Sequence, residues 1–340
     1  MHVRQSILEA VGNTPLLKLG KLFADAPFHV YAKVEALNPG GSMKDRPALA
    51  MIREGLASGA ITRDSVVVES SSGNMGIGLA QACRYFDIRF ICVVDPRTTE
   101  LNLAMLRAYG AEVDMVREPD PASGEFLQAR IARVNELLAT TPGSTWVDQY
   151  SNPANIRSHH ETTIREILDA LDGELDYLFC AVSTCGTLGG CASMLRESGH
   201  PAKVIAVDAV GSAIFASEKA KRPIPGLGAG IVPPLLDHSL VHECIHVTPA
   251  DCVVGCRKLV REEAVLAGGS AGGVIRAIEM MGGRIPAGAR CVAVLPDRGE
   301  RYLDTIYSDE WVREHCGDML LPGVPTPPFP HEEATCTTTA

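Results

Sequence analysis

A lysine lies in a turn-forming segment that follows an apolar strand. Residues 38–47 read NPGGSMKDRP. The Pro-Gly-Gly turn ends the strand and Pro47 suits an early helical position, so Lys44 is predicted at a loop-to-helix junction. Apolar neighbours would lower the pKa of its amine toward the working range of a base. A solvated surface lysine is the simpler interpretation of this residue alone, so its chemistry depends on the accompanying segments.

Two further segments combine small hydroxyl residues with a helix start. Residues 69–76 read ESSSGNMG and residues 182–190 read VSTCGTLGG, each after an apolar strand. Backbone N–H groups and hydroxyls at a helix N-terminus bind carboxylates and phosphates. The later segment suits a phosphate monoester. It matches neither G-x-x-x-x-G-K-[ST] nor G-x-G-x-x-G, which disfavours ATP and dinucleotides. Taken singly, each segment is explained equally well by an ordinary helix cap.

A fourth segment, LAGGSAGG at residues 266–273, precedes a helix predicted to begin at Val274. Its small residues are typical of close helix packing, and only Ser270 offers a chemical group. The segment therefore adds one hydroxyl to the candidate site.

The elements that must position these segments alternate along the chain. Short apolar runs separated by helical patterns predict strands joined by helical crossovers, an α/β fold with parallel sheets. The predicted strands are His29–Ala36, Val66–Glu69, Phe90–Val94, Glu112–Val116, Tyr177–Ala181, Val204–Ala209 and Cys291–Leu295. The predicted helices include Gly76–Phe86, Leu101–Tyr109, Gly124–Ala139 and Ser158–Leu171.

Composition narrows the classes of function. The net charge is −10 with interleaved signs, so nucleic-acid binding has no electrostatic basis. We find no apolar run of about 18 residues, and expect no membrane span. Eleven scattered cysteines without C-x-x-C spacing indicate reduced thiols in a cytoplasm. No His, Asp and Glu set has metal-ligand spacing, so we expect no metal. Beyond Leu320 a Pro-rich and Thr-rich tail is predicted to be disordered.

The four segments NPGGSMKDRP, SSSGNMG, STCGT and AGGS, in this order, resemble the tryptophan-synthase-β and cysteine-synthase class of pyridoxal-phosphate (PLP) enzymes, known as fold type II. The resemblance runs from about Ile7 to Trp311. It implies PLP as cofactor and two lobes, each with a mainly parallel sheet flanked by helices. Residues 1–45 and 155–316 would form the large PLP-binding domain, residues 46–154 a smaller mobile substrate domain, and residues 317–340 the tail.

The resemblance also implies roles for individual residues. Lys44 would hold PLP covalently and move protons at the substrate α carbon, Asn74 would bind the phenolic oxygen of the cofactor, and Ser270 would face its pyridine nitrogen. The phosphate-binding loop would be Ser183, Thr184, Cys185, Gly186 and Thr187. Ser71 and Ser72 would bind the substrate carboxylate.

This chain departs from the family pattern at three positions. Ser183 and Cys185 stand where cysteine synthases usually have glycine, so the loop must tolerate a Cβ there. Met75 replaces a usual threonine in the substrate segment. These departures bear on the substrate more than on the cofactor.

Longer stretches resemble one subgroup, which makes N-(2-amino-2-carboxyethyl)-L-glutamate from O-phospho-L-serine and L-glutamate for siderophore synthesis. They include CVVDPR, LRAYGAEVDMV, AVDAVGSAIF and LPDRGERYLDTIYSDEW. Arg130 is the candidate for binding the leaving phosphate or the acceptor carboxylates, with Tyr150 and Ser183 beside it. A surface helix arginine is an equally weighted alternative for Arg130.

The alternatives are an O-acetylserine or O-phosphoserine sulfhydrylase, a serine or threonine dehydratase, and a regulatory module that keeps the fold without catalysis. Retention of Lys44 argues against the last. The family resemblance implies a homodimer.

Overall fold

A computed structural model describes residues 3–216 and 221–317 of the 340-residue chain. Within this part, strands and helices alternate and the strands form two sheets. Apart from Gly317, the predicted tail at residues 317–340 lies outside the described residues.

The strands, numbered in chain order, are β1 Leu16–Lys18, β2 His29–Val34, β3 Val66–Ser70, β4 Arg89–Val94, β5 Glu112–Met115, β6 Ser144–Trp146, β7 Tyr177–Ala181, β8 Lys203–Ala209, β9 Glu243–Val247 and β10 Arg290–Leu295. A six-stranded sheet has the order β1-β2-β10-β7-β8-β9, and a four-stranded sheet has the order β5-β4-β3-β6. Every pairing is parallel except that between β1 and β2.

The α-helices are α1 Asp45–Ser58, α2 Asn74–Tyr85, α3 Glu100–Ala108, α4 Phe126–Thr140, α5 Pro153–Ser158, α6 Ile164–Ala170, α7 Gly186–Glu197, α8 Pro249–Glu263, α9 Gly269–Met281 and α10 Asp309–Cys316. One π-helical turn, His159–Thr163, joins α5 to α6. Because both faces of a parallel sheet are covered by crossover helices, its central strands are apolar throughout.

Apolar cores lie on both faces of each sheet. In the six-stranded sheet, one core is built with α8 and α9 and the other with α6 and α7. In the four-stranded sheet, the larger core includes α1 and α2, while the smaller packs against α4. The predicted class, α/β with two mainly parallel sheets flanked by helices, is confirmed.

The seven predicted strands are all present, with ends that differ by no more than two residues. The three that the sequence did not reveal, β1, β6 and β9, each lie at the edge of a sheet. An edge strand is only partly covered, so it lacks the continuous apolar run that marks a central strand.

Two predicted helix boundaries are wrong. The helix predicted for Ser158–Leu171 begins earlier, at Pro153, because the Asn152 side chain caps it by accepting from the Ala154 N–H at 3.0 Å. The helix predicted from Val274 begins at Gly269. Its glycines are helical because α8 packs against them: a Cβ on Gly272 would lie 2.0 Å from the Cys252 carbonyl oxygen.

Candidate active site

The four chemical segments meet at the carboxyl ends of the parallel strands. Strand β3 ends at Ser70, β7 at Ala181 and β10 at Leu295. The Lys44 segment joins the end of β10, since the Met43 N–H donates to the Pro296 carbonyl at 2.8 Å. This edge of a parallel sheet is where open α/β folds bind ligands.

Lys44 immediately precedes α1, as its position after the Pro-Gly-Gly turn predicted. Its Nζ donates to Thr184 Oγ1 at 3.2 Å. Burial of the amine lowers the pKa of Lys44 to about 8, against a smaller opposing effect from Cys185. About a tenth of the amine is therefore neutral at pH 7, a far larger fraction than in an exposed lysine.

Thr184 is fixed by a second partner as well. Asn155 donates from Nδ2 to Thr184 Oγ1 at 3.1 Å and to the Gln149 carbonyl at 2.8 Å. Asn155 itself is fully buried. The structure thus brings the lysine and the predicted phosphate loop together through one hydroxyl.

Cys185, a departure from the family glycine, has a left-handed backbone with φ of 62°. Glycine adopts this conformation without strain, whereas a residue with a Cβ pays for it. The chain therefore keeps the usual loop path with a cysteine. Ser183, the other departure, does not have a positive φ.

Gly186, the first residue of α7, lies where a side chain has no room. A Cβ there would lie 2.0 Å from Asn155 Oδ1. Thr184 precedes the start of this twelve-residue helix by two positions, and Thr187 lies in its first turn. Backbone amides and hydroxyls at a helix N-terminus suit a phosphate, and the Lys44 amine lies beside them, so these residues fit PLP.

Asn74 begins α2, and both ends of its amide are hydrogen-bonded. Its Nδ2 donates to Asp297 Oδ2 at 2.8 Å, and Arg301 donates to its Oδ1. Tyr302 donates to the same Asp297 oxygen at 2.6 Å.

Ser270 lies in the first turn of α9 and is buried. The turn before it is attached to the same region, because the Gly268 N–H donates to the Asp297 carbonyl at 3.0 Å. The helix start at Gly269 places this serine inside the helix rather than in the loop that the sequence suggested.

The predicted substrate residues of the β3-to-α2 segment have different surroundings. Ser71 Oγ accepts from the Gly76 N–H at 3.0 Å, which caps the start of α2. Ser72 lines a cavity. The Met75 side chain is only 2% exposed and lies in the core of the four-stranded sheet, away from the residues that line the cavity.

The cavity has a volume of about 320 Å³ and is lined by residues from the loops and helices that follow strands of both sheets. It brings together the three residues predicted to bind the phosphate or the acceptor, Arg130, Tyr150 and Ser183. Three of the lining arginines, Arg97, Arg130 and Arg222, form what we call the arginine wall, and Arg301 also lines the cavity. The carboxylates in the lining are Asp95 and Glu125.

Arg130, on α4, is 12% exposed and lies 3.4 Å from Asp95 Oδ2. Its Nε and Nη1 atoms are buried, and their N–H groups donate no hydrogen bond to any residue that the structure describes. A buried N–H without an acceptor costs about 1–3 kcal/mol. The surface-helix interpretation of Arg130 is therefore wrong, and its guanidinium is suited to an anion that enters the cavity.

Tyr150 is half-buried and lines the same cavity as this arginine. Burial raises the pKa of Tyr150, and the positive charge of Arg130 and a side-chain hydrogen bond with Ser183 oppose that rise. The phenol therefore stays protonated at neutral pH and can donate a hydrogen bond.

Sequence reasoning missed several residues of the site. Asn155, Asp297 and Arg301 contact the predicted residues, and only the subgroup stretch LPDRGERYLD gave a signal for the last two. His159, in the π-helical turn, is another of these residues. Its Nε2 lies 3.1 Å from Thr187 Oγ1, and burial, together with Arg46 and Lys44, lowers the pKa of His159 well below its usual value.

Residues 3–216 and 221–317 contain no cluster of three or more His, Cys, Asp or Glu side chains able to bind a metal ion. No helix in these ranges is long and apolar enough to cross a membrane. The ten cysteines in these ranges are free thiols.

Comparisons with known proteins give the family. The family described as pyridoxal-phosphate dependent enzyme matches residues 7–297. N-(2-amino-2-carboxyethyl)-L-glutamate synthase of Ralstonia nicotianae is 45% identical over 310 residues, 91% of each chain. The resemblance stated from the sequence is thereby confirmed.

Comparisons with solved structures give the same family. O-ureido-L-serine synthase is 33% identical with a TM-score of 0.83, over 91% of this chain and 98% of that one. The O-acetylserine dependent cystathionine beta-synthase from Helicobacter pylori is 30% identical with a TM-score of 0.83, over 91% and 100%. The residues at the strand ends fit PLP, and the family match and these relatives cover most of the chain. The chain therefore belongs to the pyridoxal-phosphate dependent enzymes of fold type II.

Proposed function

We propose that this enzyme condenses O-phospho-L-serine with L-glutamate to give N-(2-amino-2-carboxyethyl)-L-glutamate and phosphate, a step toward 2,3-diaminopropionate for a siderophore. The observation that carries the proposal is the arginine wall, above all the buried Arg130 N–H groups without an acceptor. A chain of net charge −10 has a cavity lined by four arginines and two carboxylates. Such a cavity favours a phosphorylated donor and a dicarboxylate acceptor.

Each chemical step can be assigned to side chains. Bound PLP supplies an electron sink for the electron pair released at the α carbon. Lys44, with its lowered pKa, would remove the α proton and later return it, and the neutral Ser270 hydroxyl would face the ring nitrogen of the cofactor. Asn74 and the loop from Ser183 to Thr187 hold the cofactor.

The substrates are assigned to the cavity side. Ser71 and Ser72 bind the carboxylate of the donor, and Arg130 binds the leaving phosphate or a carboxylate of the acceptor, with hydrogen bonds from Tyr150 and Ser183. Loss of phosphate before the acceptor amine adds to the β carbon predicts ping-pong kinetics.

The proposal also covers the domains of the chain and its oligomeric state. Residues 1–45 and 155–316 form the cofactor domain, and residues 46–154 form a mobile substrate domain whose closure excludes water from the reacting carbon. The two separate sheets support this division. The active form is a homodimer in the cytoplasm, a location that the free thiols support; light scattering of the purified holoenzyme tests the dimer.

A product assay tests the chemistry. The holoenzyme is incubated with phosphoserine and either glutamate or sulfide, and the products are identified by mass spectrometry. We expect N-(2-amino-2-carboxyethyl)-L-glutamate and one phosphate per turnover in the glutamate reaction. Efficient cysteine formation with no glutamate adduct would instead identify a sulfhydrylase, and pyruvate formation without an acceptor would identify a dehydratase.

A further inference from the structure

The amide of Asn74 is held by two groups of opposite polarity. Its nitrogen donates to Asp297 Oδ2 at 2.8 Å, and its oxygen accepts from Arg301. An ionised carboxylate can only accept hydrogen bonds and a guanidinium can only donate them. If the amide were flipped, its oxygen would face the carboxylate and its nitrogen would face the guanidinium, and neither hydrogen bond could form. The two partners therefore fix the positions of the amide oxygen and the amide nitrogen of Asn74.

The carboxylate of this pair is itself held rigidly. Asp297 is 1% exposed, and its Oδ2 also accepts from Tyr302 at 2.6 Å. Gly268 leaves room for its other oxygen, since a Cβ there would lie 2.0 Å from Asp297 Oδ1. Burial raises the pKa of Asp297, while the hydrogen bonds from Tyr302 and Asn74 and the charge of Arg301 oppose the rise.

Arg301 connects the amide to the lysine segment. Besides Asn74 Oδ1, its guanidinium donates to the Gly40 carbonyl in the turn that precedes Lys44. Both acceptors are uncharged, so these two hydrogen bonds orient the guanidinium of Arg301 without pairing its charge.

We propose that Asp297 and Arg301 are positioning residues that orient the Asn74 amide so that it offers only a donor to the cofactor. The Asn74 nitrogen carries two hydrogens. One is used by Asp297, which leaves the second for the phenolic oxygen of PLP. The inference rests on the proposed role of Asn74 as a cofactor contact, and it assigns the control of that contact to the carboxylate and the guanidinium that hold the amide.

A double-mutant cycle separates this role from general structural support. The apparent affinity of the apoprotein for PLP is measured by titration for the parent chain, Asn74→Ala, Asp297→Ala and the double variant. We expect each single variant to bind about tenfold more weakly, since hydrogen bonds to charged groups have this size. The double variant should bind no more weakly than Asn74→Ala, because Asp297 acts through that amide. A further tenfold loss in the double variant would overturn the proposal.

Conservative and control variants keep the test decisive if Asp297→Ala does not fold. Asp297→Asn retains an oxygen that can accept from Asn74 and should stay within about threefold of the parent affinity. Arg301→Met should weaken PLP binding, but not in the Asn74→Ala background. Arg298→Met is the matched control, because Arg298 donates to the Ala36 carbonyl at 2.8 Å and should leave affinity unchanged. Equal losses in the Arg298 and Arg301 variants would contradict the proposal.

These titrations use no substrate, so their outcome is separate from that of the proposed reaction. A chain that shows the expected coupling but releases no phosphate from phosphoserine would refute the proposed function and leave the positioning role intact. Additive losses of PLP affinity together with normal turnover would refute the positioning role and leave the proposed function intact.

Discussion

The cofactor site and the arginine wall satisfy their polar groups in different ways. Around the cofactor site, Lys44, Asn74 and Thr184 each have hydrogen-bond partners within the protein. On the wall, Arg130 has buried N–H atoms with no acceptor in the described part of the chain. These three cofactor-site residues are held by the protein before a ligand arrives, whereas the Arg130 N–H groups would gain their acceptor from a ligand. This difference separates cofactor binding from substrate choice.

Replacing Lys44 should give the largest effect. Lys44→Ala removes the amine that moves the α proton, and we expect phosphate release from phosphoserine to fall by about 10⁴-fold, the upper range for general acid–base catalysis. Phosphate release by the purified protein measures it. The exposed Lys18 on β1 gives the control variant Lys18→Ala, which should be fully active. Substantial turnover by Lys44→Ala would break the assignment of the lysine.

Replacing Arg130 should affect substrates and leave the cofactor in place. Arg130→Ala should lower kcat/KM about a hundredfold, since a charged hydrogen bond is lost, with PLP content unchanged. Arg133→Ala is the matched control, because Arg133 lies on the same helix and pairs with Asp114 and Glu136 near the surface. An unchanged kcat/KM for Arg130→Ala would show that Arg130 does not bind the substrates. Loss of PLP from this variant would show that cofactor binding and substrate binding are not separate.

The same contrast explains what the sequence could predict. The cofactor residues stand in short contiguous segments at strand ends, where Lys44, the hydroxyls and the glycines occur together. Central strands were equally visible because they are apolar throughout. The edge strands β1, β6 and β9 were missed, since partial exposure weakens their pattern.

Contacts between distant segments could not be read from the chain. Asn155 lies 29 positions from Thr184, and Asn74 lies 223 positions from Asp297. Only the fold brings such pairs together. The burial that makes Arg130 a candidate anion ligand was likewise invisible, because a helix arginine looks the same in sequence on either face. Met75 was included as a substrate residue because of its place in a motif, while its side chain points into a core.

A glycine substitution sharpens the comparison on the cofactor side. Gly186→Ala places a Cβ against Asn155 and should destabilise the protein by about 1–3 kcal/mol and weaken PLP binding. Gly189→Ala, in the same helix, is the control: its Cβ would lie 3.4 Å from the Ile156 side chain, an ordinary contact. Thermal unfolding and PLP titration measure both variants. Equal behaviour of the two would mean that the tight loop is unimportant for the cofactor.

The smallest expected effect is a pH dependence. The lowered pKa of Lys44, about 8, means that the neutral, reactive amine increases as pH rises through that value. The rate at which apoprotein captures PLP should therefore rise about fivefold from pH 7 to pH 8 and level off above pH 9. Stopped-flow absorbance follows this capture. A rate that keeps rising toward pH 10.5 would indicate an ordinary exposed lysine.

The central claim is that one lysine carries the cofactor, and covalent mapping tests it most directly. The holoenzyme is reduced with borohydride, digested, and its peptides are sequenced by mass spectrometry. The account predicts a phosphopyridoxyl group on Lys44 and on no other lysine. A label on a different side chain, or an unlabelled Lys44 in fully active enzyme, would contradict it.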